Sequence, residues 1–132
     1  MSSEILSLLG LAHRAGRLSI GEDMTIEAVA DHKVRLLVLA SDTAPTTVRR
    51  TQKLAGERLP IATLKETKAE LGSALGRDTC ALCAVMDMGF AAKVAEKLAA
   101  ENPAFAETAA LVLKKSEKIA RRKITKPRKK KE

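Results

Sequence analysis

Seven residues, 34–40, constrain this chain most. They read VRLLVLA, an apolar run too short for a core helix and rich in branched side chains. Successive side chains of a strand point to opposite faces, so a run without polar alternation is a strand buried on both. Such a strand needs a helical layer above and below it, which predicts a sheet sandwiched between helices.

The flanking sequence supplies those helices. Ile5, Leu8, Leu9 and Ala12 recur at helical spacing over 4–15, and Gly16 stops the helix. A short strand is predicted at 17–20. Gly21 then turns the chain into a second helix, capped by Glu22 or Asp23, with Met24, Ala28 and Val29 inward. Pro45 suits the first turn of a third helix, ending near Gly56. There follow a strand at 59–64 and a helix at 65–75, which Gly72 weakens and Gly76 closes. A strand at 81–86 and a helix at 89–101 come next, the latter with Phe90, Val94 and Leu98 every four residues. Asn102 and Pro103 end that helix. Phe105, Ala109 and Val112 resume helical spacing toward Lys123. Lys126 and Pro127 break any helix and leave RKKKE as a solvated end. The alternation predicts the α/β class: a three-layer α/β/α sandwich with a central, mostly four-stranded mixed sheet. Residues 1–103 are expected to form the domain, and 104–132 a C-terminal helix and basic tail.

The formal net charge of +8 is unevenly spread. Residues 114–132 hold eleven basic and two acidic side chains, and residues 1–113 hold thirteen and fourteen. The tail therefore supplies sequence-independent attraction for phosphate, while the near-neutral domain needs a local patch to bind a polyanion. No apolar run approaches the roughly 18 residues needed to span a bilayer. The start, MSSEILSLLG, has neither a basic leading segment nor a small-residue cleavage site. A cytoplasmic chain without a membrane partner is expected.

Catalytic signals are weak. Cys80 and Cys83 form a C-A-L-C motif, but a zinc site needs a second ligand pair, and the two histidines, His13 and His32, lie far upstream. The motif falls in an apolar, strand-like run whose alternation puts the two thiols on opposite faces, so they read as buried thiols without metal. Asp42 and Asp87 follow strand ends, where an open α/β fold holds a phosphoacceptor or Mg²⁺. Neither has an adjacent acidic partner, and no Gly-rich phosphate loop follows a strand. No catalytic residue, metal, cofactor or small-molecule substrate is expected, and the chain reads as a non-enzyme. It has no Trp or Tyr and two Phe, so recognition of any nucleic acid would rest on shape, backbone and polar contacts rather than aromatic stacking.

Four segments stand in order over about residues 6–95: LLGLAHRAGRLSIGEDMTIEAV, VRLLVLASDTAP, LPIATLKETKAELGSALGR and CAVMDMGFA. Their order, spacing and turn residues resemble the ribosomal L-seven-Ae type family, and more closely its bacterial branch of small RNA-binding proteins. The resemblance implies the three-layer sandwich and binding to structured RNA, typically a kink-turn. That is a duplex bent sharply at an internal loop with non-Watson–Crick G·A pairs.

The resemblance also implies an RNA-facing edge made from two places. The first is the junction after the first strand, Gly21, Glu22, Asp23 and Met24. The second is the loop 76–80, with Arg77, Asp78, Thr79 and Cys80. Gly21 permits close backbone approach, helix N–H groups hold phosphate, and an apolar residue in the second loop packs under an unstacked base. Arg14 and Arg17 precede the first loop and Arg77 lies in the second; arginine is the best reader of phosphate and guanine. Typical kink-turn binders carry Asn-Glu where this chain has Asp23 and Met24, and a lysine one turn later, where it has Glu27. Glu22, Asp23 and Glu27 put three negative charges beside the phosphate path, each opposing phosphate by roughly a kcal/mol or more at a few Å. Arg49, Arg50 and Lys53 form one basic helix face, read as a solvated face. The expected partner is structured RNA, ribosomal RNA among the candidates, bound by a monomer. The alternative is a ribosome-assembly or protein-interaction module with only non-specific RNA attraction through the tail.

Overall fold

The computed structural model describes the backbone of residues 4–125 and side chains as far as residue 115. In chain order the elements are α1 (Glu4–Arg14), β1 (Leu18–Ile20), α2 (Glu22–Ala30), β2 (Leu36–Leu39), α3 (Pro45–Ala55), β3 (Ile61–Thr63), α4 (Lys68–Ala74), β4 (Leu82–Val85), α5 (Met88–Glu101), a 3-10 turn (Pro103–Phe105) and α6 (Ala106–Thr125). Lys126, Pro127 and the RKKKE end lie outside the described residues.

The four strands form one mixed sheet in the order β1-β4-β2-β3. β4 is antiparallel to both β1 and β2, and β2 is parallel to β3 through the α3 crossover. β2 is buried at all four positions. Leu36, Val38 and Ala40 pack with α1, α4, α5 and α6. Leu37 and Leu39 pack with Ala28 and Val29 of α2 and Ala55 of α3. The run at 34–40 thus divides the molecule into two apolar layers, as its lack of alternation requires. Phe105, Ala109 and Val112 belong to the larger layer, so the 3-10 turn and the start of α6 share its core.

Several helix starts are fixed by side chains. Thr67 and Glu70 form a reciprocal capping box at α4. The Lys68 N–H also donates to Asp42 Oδ1 at 2.7 Å. Asp87 accepts from the Phe90 N–H at 3.0 Å and caps α5. The two aspartates at the strand ends are therefore helix-start acceptors.

Three local expectations need correction. The cap of α2 is Gly21 itself, with no side-chain hydrogen bond, because the helix begins at Glu22. Its inward face is then Thr25, Ala28 and Val29, and Met24 is 54% exposed, since one residue further round the helix is about 100° of rotation. Cys80 and Cys83 share the larger apolar layer instead of opposite faces. Cys80 precedes β4, so strand alternation does not relate it to Cys83.

Gly72 has a reason beyond helix propensity. A Cβ built there would lie 2.6 Å from the Thr79 Cα and 2.7 Å from the Thr79 nitrogen. The loop before β4 crosses α4 at backbone contact, which only glycine permits. Replacing Gly72 with Ala is expected to lower stability by roughly 1–3 kcal/mol, the range for overpacking. Urea unfolding should show a lower midpoint with an unchanged slope. A midpoint equal to wild type would mean that the loop can lift off α4 without loss.

Candidate nucleic-acid interface

The pairing of β1 with β4 sets Ile20 opposite Cys83. One residue on, the Gly21 N–H donates to the Leu82 carbonyl at 2.9 Å. Gly21 has φ 91° and ψ 163°, a conformation open essentially to glycine. The chain reverses there directly into α2. Gly21 offers no side chain, so the first-turn N–H groups of α2 receive no side-chain cap. They carry the partial positive charge of a helix start. Asp23 and Met24 are exposed on this turn, and Glu22 is half-buried.

The second loop is built at the end of α4. Gly76 takes φ 74°, and the Arg77 N–H returns to the Gly72 carbonyl at 2.8 Å. The Cys80 N–H donates to the Lys68 carbonyl at 3.0 Å, which ties the loop's far end to the start of α4. Arg77, Asp78 and Thr79 are left exposed between these anchors, while Cys80 is buried.

The two loops meet at Cys80. Its thiol bonds the Leu82 carbonyl at 3.4 Å and contacts Cys83. The hydrogen bond with Cys83 lowers the Cys80 pKa against the opposing effect of burial, with help from the Leu82 backbone, the charge of Arg77 and the Gly21 backbone. The partner thiol moves the other way: the bond to Cys80 and full burial hold Cys83 well above the usual range. Gly21 is thus brought beside Arg77 and Cys80, more than fifty residues away in the chain.

Arg14 joins this side through its side chain. A Cβ at Gly10 would lie 3.5 Å from Arg14 Nη1 and 3.3 Å from the Ala74 carbonyl, so the guanidinium lies back along α1 beside the end of α4. Arg17 is placed differently. Its carbonyl accepts from the Met86 N–H at 2.8 Å, at the end of the β1–β4 ladder remote from Gly21. Asp23 and Met24 project from the α2 turn without any hydrogen bond that joins them to the second loop.

Sequence spacing gave no sign of the partner of Glu22. Arg50 of α3, 28 residues away, donates through Nε and Nη2 to the two carboxylate oxygens, the latter at 3.0 Å. The bond to Arg50 lowers the Glu22 pKa against slight desolvation, and raises that of Arg50. A depressed carboxylate pKa means the pair persists above the ordinary Glu range and is lost only as the pH falls through the folded value. At neutral pH one of the three negative charges beside α2 is therefore neutralised.

A mixed sheet between two helical layers, with a glycine-turned helix start against a glycine-turned loop, now has a family to compare with. The chain belongs to the ribosomal protein L7Ae/L30e/S12e/Gadd45 family, whose model matches residues 3–95. It is 34% identical over 92 residues to the RNA-binding protein YlxQ of Bacillus subtilis, a match covering 69% of this chain and 91% of that protein. The YlxQ protein of Enterococcus faecium is 30% identical over 92 residues, 69% of this chain and 87% of that one. A solved structure of a protein of unknown function from Bacillus halodurans superposes with a TM-score of 0.69 at 33% identity, over 74% of this chain and 98% of that chain. Among the described residues no group of three or more His, Cys, Asp or Glu could hold a metal ion, and no helix is long and apolar enough to cross a membrane.

The opposed thiol shifts lead to a chemical expectation. In the native chain an alkylating reagent should modify Cys80 before Cys83, because the thiolate is the nucleophile. Peptide mass mapping against time checks this order. Equal rates at both cysteines would mean that their environments are not distinct.

Proposed function

We propose that this protein binds structured, kink-turn-like RNA through the edge formed by residues 21–24 and 76–80. The observation that carries the reading is the junction itself. An uncapped helix start and an exposed Arg-bearing loop are held against each other by the Gly21–Leu82 bond and the Cys80 thiol. Such a start offers N–H groups to phosphate, and the loop offers Arg77 to a second phosphate or a guanine edge. The names of the YlxQ relatives support an RNA partner. Recognition by shape fits a chain without Trp or Tyr. The domain over 1–103 provides the selective edge, and residues 104–132 add attraction through the basic tail. The protein acts as a monomer in the cytoplasm, without catalysis, and ribosomal RNA is one source of such a bend.

A second reading, a ribosome-assembly or protein-interaction module, draws on Met24 and Ile26, 54% and 46% exposed near the same edge. It differs in its tolerance of nuclease, since a protein partner survives RNA digestion.

Filter binding to a kink-turn RNA and to a straight duplex of equal length tests the first reading. The kink-turn should bind more tightly, and replacing Arg77 with Gln should weaken that binding by about 1–3 kcal/mol. Deleting residues 114–132 should weaken both RNAs and leave the preference. Equal affinity for the two RNAs, with all binding lost on deletion, would leave the loops without a role.

A further inference from the structure

Beside this edge, and sharing Glu22 with it, lies a further surface. The helix α3 reads PTTVRRTQKLA, with three cations and no acid. Thr46, Arg49, Arg50, Gln52 and Lys53 line an open cavity of about 570 Å³. A second opening, about 340 Å³, lies between α2 and α3. Its walls carry Ile26, Arg50, Lys53 and Leu54, and Leu82 of β4 lines it as well. Among the described residues Glu22 is the one acid lining either opening, and its carboxylate is bonded to Arg50.

The surface is continuous with the loop edge. Leu82 lines the opening, and its carbonyl holds the Gly21 N–H. Glu22, the first residue of α2, is in the opening too. The α2 start thus opens onto α3, where Arg49 and Lys53 stand exposed and about 6 Å apart along the helix axis. With Glu22 neutralised by Arg50, no free carboxylate among the described residues that line the groove opposes phosphate.

Resting on the reading above, we propose that the α2–α3 groove and the adjoining face of α3 form a second phosphate-binding surface of the same RNA site. Arg49 and Lys53 hold the backbone of the stem that continues beyond the bend. Arg50 is a positioning residue, which ties α3 to the start of α2 and cancels the Glu22 charge. The apolar side chains Ile26 and Leu54 lie under the sugar face of that strand.

The test uses the full chain and a fluorescent kink-turn RNA, with anisotropy measured over a salt series. The double variant R49Q/K53Q removes two exposed cations and leaves the core untouched, so its thermal melt should match wild type. Its affinity at moderate salt should fall about tenfold, and the slope of log K against log salt should become shallower by about 1.8, near 0.9 for each lost phosphate contact. The equal-charge control K93Q/K97Q, on α5 across the sheet, should change the slope little. If the wild type does not prefer the kink-turn, the proposed function fails and this inference with it. If R77Q weakens binding while R49Q/K53Q keeps wild-type affinity and slope, this inference alone is overturned. It is also overturned if K93Q/K97Q has the same effect, or if R49Q/K53Q loses a nuclease-resistant protein partner instead of RNA.

Discussion

The strand β4 holds the candidate interface together. It is buried at every position and hydrogen-bonded on both sides, to β1 and to β2. A one-residue slip of such a strand would turn each apolar side chain to the wrong layer, so its register is strongly specified. That register puts Ile20 opposite Cys83 and brings the Gly21 N–H to the Leu82 carbonyl. The start of α2 is delivered beside the loop that enters β4. Gly72 completes the arrangement by letting that loop cross α4 at backbone contact.

Charge is arranged at two scales. The tail, with eleven basic and two acidic side chains, carries +9 against −1 for the rest of the chain, and supplies long-range attraction that salt weakens. The domain, nearly neutral overall, works with single contacts. Arg50 bonds Glu22, Arg14 lies back beside the end of α4, and Arg77 is near enough to Cys80 for its charge to act on the thiol. An exposed ion pair such as Arg50–Glu22 adds little to stability. Its effect is local, removing a negative charge from the place where phosphate would approach.

The layers were legible in the sequence because burial writes itself into periodicity. The unbroken run at 34–40 and the helical spacing of Ile5, Leu9 and Ala12 depend only on neighbours along the chain. Gly21 was legible for a related reason, since a positive φ favours glycine. What escaped depends on contacts between distant segments. Gly72 looks like a weak helix residue until Thr79 is seen against it. Arg50 looks like one member of a solvated face until Glu22 is found on its guanidinium. Cys80 and Cys83 were set on opposite faces because strand alternation was extended back past Leu82, where β4 begins; the chain at Cys80 has not yet entered β4. Arg17 sits in HRAGR beside Arg14, yet β1 carries it to the opposite end of the ladder from Gly21.

The most direct measurement is a residue-resolved map of the RNA contact. Amide chemical shifts of the full chain would be followed by NMR as a kink-turn RNA is added at physiological salt. The expected result is large, saturating change at residues 21–24 and 76–80, with the amides of β2 and the α5 core nearly still. Change confined to residues 114–132, with both loops unmoved at saturation, would contradict the claim that the folded edge reads the RNA.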